Sequence, residues 1–89
     1  MASIEEELAR SKQAKAAIEG KLTEEAIKVL REAYLMAETQ AAFSSEGPLR
    51  DARHNVGVAL PSVTGGQPHQ AEINKAKSAI EAWIKELGG

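Results

Sequence analysis

The sequence predicts an all-α fold, an up-down bundle of three long helices and one short one, and three observations predict it. Alanine is abundant and β-branched residues are few, so the residue propensities favour helix. Apolar residues recur at three- and four-residue spacing, most densely in Thr23 to Ser45 and most cleanly near the C-terminus. Helix start and stop residues punctuate the chain at Ser3, Gly20, Thr23, Gly47-Pro48 and Gly88-Gly89. Together they give one domain over residues 1–89, with helices at about 4–19, 24–45, 48–58 and 69–87.

Ser3 to Glu6 is an S-x-x-E capping box, in which the serine caps forward and the glutamate reaches back. The helix it opens has a thin apolar stripe of Ile4, Leu8, Ala14, Ala17 and Ile18, with Ser11 in line. The Glu5-Glu6-Glu7 run suits the positive end of the helix dipole and is expected to mark the helix start. Gly20 fits the left-handed residue that closes a helix. Only Lys21 and Leu22 then separate it from the Thr23 cap, so the first two helices fold back as an antiparallel hairpin.

The second helix is expected to be central. Thr23 caps it, Leu22 and Ile27 occupy the staple positions, and Glu24 and Glu25 charge its first turn. One stripe runs through Ala26, Val29, Leu30, Ala33, Met36, Ala37 and Phe43, and a second through Ile27, Tyr34 and Ala41. A helix apolar over so much of its circumference needs cover on more than one side. Tyr34, Leu35, Met36 and Phe43 are therefore candidates for a partner interface, while Tyr34, Phe43 and Trp83, all on apolar faces, are expected in the core.

Pro48 suits the first turn of a short third helix, whose Leu49, Ala52, Arg53 and Val56 follow helical spacing. Val56 to Leu60 also fits an extended strand, and Pro61 is expected to end the element. Pro61 to Pro68 has the composition of a loop. The last helix carries Ile73, Ala76, Ile80, Trp83 and Leu87 on one stripe, and Gly88-Gly89 fits its cap.

Composition narrows the function classes. A formal charge of −2 argues against a nucleic-acid surface, which is usually basic. No apolar run approaches the roughly 20 residues of a membrane span. The acidic start lacks the cationic-then-apolar order of a signal peptide. The absence of cysteine suits a reducing cytoplasm and removes disulfides and thiolate metal sites. His54 and His69 have no accompanying ligand motif, so neither a metal nor another cofactor is expected. Ser44, Ser45 and Ser62 lack a nucleophile motif, and no glycine-rich phosphate loop is present. One polar cluster stands out: Arg50, Arg53 and His54 lie within four residues and could form a small anion site. The leading expectation is a non-catalytic interaction or assembly module, with a protein partner or a second copy of the chain. An anion-binding domain using Arg50, Arg53, His54 or His69 is the alternative.

Two local resemblances bear on these expectations. Ala14 to Glu38, through Gly20, Glu24-Glu25-Ala26 and Ala33, resembles the helical hairpins of tetratricopeptide-type interaction domains, which implies a protein-binding hairpin. Gly66-Gln67-Pro68-His69 resembles the Gly-Gln-Asp-His turn of lactose-type phosphocarrier proteins, which are small three-helix domains. Gly65 stands where that family carries its phosphorylated histidine, and Pro68 where it carries aspartate, so the resemblance implies the layout without the chemistry.

Overall fold

A computed structural model describes residues 2–89. Four helices follow one another: α1 (Ile4–Glu19), α2 (Glu24–Ala42), α3 (Pro48–Thr64) and α4 (Gln70–Glu86). Their lengths are 16, 19, 17 and 17 residues, so the expected short third helix is as long as the others. Val56 to Leu60 is helical, and α3 continues through Pro61 to Thr64. The proline removes the hydrogen bond to the Gly57 carbonyl and its ring crowds that carbonyl, yet the helix continues to Thr64. That turn is held from outside. Leu60 and Val63 are fully buried, and Arg31 Nη2 donates to the Thr64 carbonyl at 3.1 Å. The expected loop shrinks accordingly to the residues between Thr64 and Gln70.

The caps explain the boundaries. Ser3 Oγ accepts from the Glu6 amide and Thr23 Oγ1 from the Ala26 amide, each at 3.1 Å. His69 caps α4, and its amide donates to the Glu72 carboxylate at 3.0 Å. At the far end, Gly88 takes φ 91°, which an L side chain rarely adopts. The Gly88 amide donates to the Lys85 carbonyl and the Gly89 amide to that of Ile84, both at 3.0 Å, which is a Schellman closure.

Each helix packs against two others: α1 against α2 and α4, α3 against α2 and α4. Among the described residues, neither α1 with α3 nor α2 with α4 approaches closely, so the helices form a ring. The long dimension is 34 Å, which matches helices of roughly 26 Å plus their caps lying along it. The ring overturns the expectation of a central second helix. Helix α2 buries Leu30, Ala33, Ala37 and Gln40, whereas α3 buries seven residues. Of the extra apolar girth of α2, Leu35 and Phe43 point outward, whereas Tyr34 packs against the core. Large buried side chains (Trp83, Leu30, Leu60, Ile80, Val56 and Val63) alternate with buried alanines at 14, 33, 37, 52, 59 and 76. The small residues let the backbones approach, and the large ones fill the space between.

Candidate functional site

The most organised polar chemistry lies inside the ring. Glu7 of α1 is fully buried, although it belongs to the acidic run expected only to mark a helix start. Its position follows from spacing: Glu7, Ser11, Ala14 and Ile18 repeat at four, three and four residues and face inward together. Arg53 of α3 meets it with two parallel bonds, Nε to Oε2 at 2.7 Å and Nη2 to Oε1 at 2.6 Å. Trp83 of α4 donates Nε1 to Oε2 at 2.7 Å, and Gln40 of α2 donates Nε2 to Oε1 at 3.2 Å. Arg53 Nη1 also donates to Ser44 Oγ, whose own proton goes to the Gln40 carbonyl at 2.6 Å. The other three helices thus each send one side chain to the single carboxylate of α1.

Burial of Glu7 pushes its pKa up. The hydrogen bonds from Arg53, Trp83 and Gln40, with the Arg53 charge, more than offset this and hold it below the ordinary 4.5. The carboxylate stays ionised, with both oxygens doubly engaged and no exposure to solvent. Such a group offers nothing to a substrate. It orients four helices against one another. Among the described residues, Gln40 Oε1 is the one buried side-chain oxygen without a hydrogen-bond partner.

This cluster splits the expected anion site. Arg53 does not share a face with Arg50 and His54; its guanidinium is buried and bound by Glu7. The reason is the stripe of Leu49, Ala52, Arg53 and Val56, which turns inward as a unit. Arg50 and His54 stay outside and line an open groove of about 600 Å³ between the end of α2 and the start of α3. Glu38, Glu46 and Asp51 line it too, and Arg50 lies 3.9 Å from Glu46. Three carboxylates there oppose an anion. His69, at the N-cap of α4, stands apart from this groove. Among the described residues, no three His, Cys, Asp or Glu side chains gather as metal ligands.

The four apolar candidates on α2 separate by orientation. Tyr34 and Met36 are half-buried against neighbouring helices, whereas Leu35 is 54% and Phe43 70% exposed. Of the three aromatic residues, Trp83 alone is buried. Phe43 leaves the core because it is the C-cap of α2, where the chain turns away at φ −105° and ψ 8°. Val58 of α3, not singled out by its sequence position, is also 54% exposed. A second groove, about 390 Å³, runs between α3 and α4 over Ala59, Ala79 and Ala82 beside Val58. Among the described residues, no helix is long and apolar enough to cross a membrane. No protein-family model, curated protein or solved structure matches this chain.

Proposed function

We propose that this chain is a non-catalytic helical interaction or assembly module, an up-down bundle presenting apolar side chains of α2 to a protein partner or a second copy. The observation that carries this reading is the outward placement of Leu35 and Phe43 on a bundle whose interior is already filled. Large apolar side chains held in water on a rigid helix are what a partner surface can cover at low ordering cost. The up-down arrangement itself draws support from the polar cluster: the start of α1, the end of α2, the start of α3 and the end of α4 converge there. A reducing, cytoplasmic setting fits a chain without cysteine. The anion-binding alternative draws no support from the groove, where Arg50 is paired and three carboxylates face it.

Photo-crosslinking in the source cells tests the module reading. A photoreactive residue placed at Leu35 or Phe43 is expected to give discrete protein adducts, and one at the exposed Lys12 to give none. Equal labelling at all three positions, or none at all, would overturn the proposal.

A further inference from the structure

We infer that the outer face of α2 is built to pair with the same face of a second copy, the two helices running antiparallel about Leu35. This rests on the interaction-module reading and names its partner. Leu35 is 54% exposed at the middle of the α2 surface. Arg31 lies four residues before it and Glu38 three residues after, both exposed. Being seven residues apart, Arg31 and Glu38 stand two turns from each other on nearly one line along the helix. The structure fixes that line on the α3 side: Arg31 donates to Thr64, and Glu38 lies against Gly57. Leu35 therefore falls opposite residues near 60, close to the level of the exposed Val58.

A two-fold axis through Leu35, perpendicular to α2, brings residue 31 of one copy beside residues 38 and 39 of the other, on the same flank. Leu35 meets Leu35, and two Arg31–Glu38 pairs close around them. On the opposite flank Glu32 meets the neutral Thr39 rather than another carboxylate. A parallel two-fold exchanges the flanks, setting Arg31 beside Glu32 and Glu38 beside the neutral Thr39, so only the antiparallel pairing engages Glu38 and the Glu38→Arg reversal separates the two orientations. With the helices antiparallel the face is thus complementary to itself along the whole Arg31–Glu38 line, the requirement of an isologous interface. One helix face with a single central leucine buries less than the roughly 1,200 Å² of a stable complex. The expected dimer is therefore weak and reversible.

Light scattering over a concentration series to millimolar protein is the test. The wild-type chain is expected to gain mass toward a dimer. Arg31→Glu or Glu38→Arg alone places like charges together and should weaken association by about tenfold or more. Mixing these two variants restores complementarity across a heterodimer, and so does the double variant carrying both changes. Circular dichroism confirms that each variant is folded. A monomer at every concentration, or a dimer indifferent to both reversals, overturns the inference. Partner adducts at Leu35 or Phe43 with a monomeric chain would leave the module reading standing while removing the second copy. Failure of both experiments removes both.

Discussion

The two ends of the bundle are held by different physics. At one end Glu7, Gln40, Arg53 and Trp83 meet as a buried polar cluster. Toward the other, Ile18, Leu30, Val63 and Ala76 pack without a polar group among them. Apolar packing is non-directional: a leucine slipped by one turn still buries its methyls. A carboxylate satisfied by a guanidinium, an indole and an amide from three other helices has one arrangement. The apolar end supplies burial energy, and the polar end supplies register. Removing a buried pair's partner costs far more than removing the pair, because the survivor is left charged in the interior.

That asymmetry gives the largest predicted effect. Arg53→Met leaves Glu7 buried without its cation and should cost about 3–5 kcal/mol in urea denaturation. That is a large share of the roughly 5–10 kcal/mol expected of a domain this size. Replacing both partners, Glu7→Leu with Arg53→Met, should recover part of that loss, leaving a deficit of about 1–3 kcal/mol for the buried Trp83 indole N–H, which then lacks an acceptor. Leu30→Ala at the apolar end should cost about 2–5 kcal/mol through the cavity it leaves. No comparable partner substitution is expected to restore that loss. If the double variant is as unstable as Arg53→Met, the two ends do not differ in the way described. If it is stable but loses chemical-shift dispersion, the register role of the polar end is sharpened.

The same contrast explains what the sequence made legible. The apolar end was readable because alternating apolar and polar residues report directly which face is wet: Ile18, Leu30 and Ala76 are buried as their spacing predicts. The polar cluster was hidden because its members look like surface residues. Glu7 sits in an acidic run that a helix start explains, and Arg53 sits between Arg50 and His54, which suggests a charged face. The usable signal was spacing rather than residue type. Arg53 lies in line with Leu49, Ala52 and Val56, and Glu7 with Ser11, Ala14 and Ile18. What spacing could not supply was the pairing between helices, which depends on tertiary geometry. The length of α3 was obscured in the same way. Pro61 is a local stop signal, and the buried Leu60 and Val63 override it through contacts distant in sequence.

Acid should act selectively on the polar end. The folded-state pKa of Glu7 is depressed below 4.5, so its contribution is present above the unfolded value and lost as pH falls through the folded one. Thermal unfolding followed by the fluorescence of Trp83, the only tryptophan, is expected to change little from pH 7 to 5 and to fall below pH 4.5. The Glu7→Leu/Arg53→Met variant lacks this carboxylate and serves as the reference. The wild type should therefore lose more stability than the double variant on acidification. Equal losses would mean that the buried pair is not what acid attacks.

The smallest effect lies between the two ends, where α3 crosses close to α2. A Cβ added at Gly57 would stand 2.7 Å from Glu38 Cγ, so alanine there fits only if Glu38 swings aside. Glu38 is exposed and makes no side-chain hydrogen bond or ion pair among the described residues, so it is free to turn. Glycine in a helix interior costs about 0.8–1.0 kcal/mol relative to alanine. Gly57→Ala is accordingly expected to stabilise the chain by about 0.5 kcal/mol, the propensity gain less the rotamer adjustment. A loss of stability would show that the seam between α2 and α3 is set by backbone approach and not by a movable side chain. Gly57 would then rank with the polar cluster as a determinant of register, and the division between the two ends would extend along the whole α2–α3 contact.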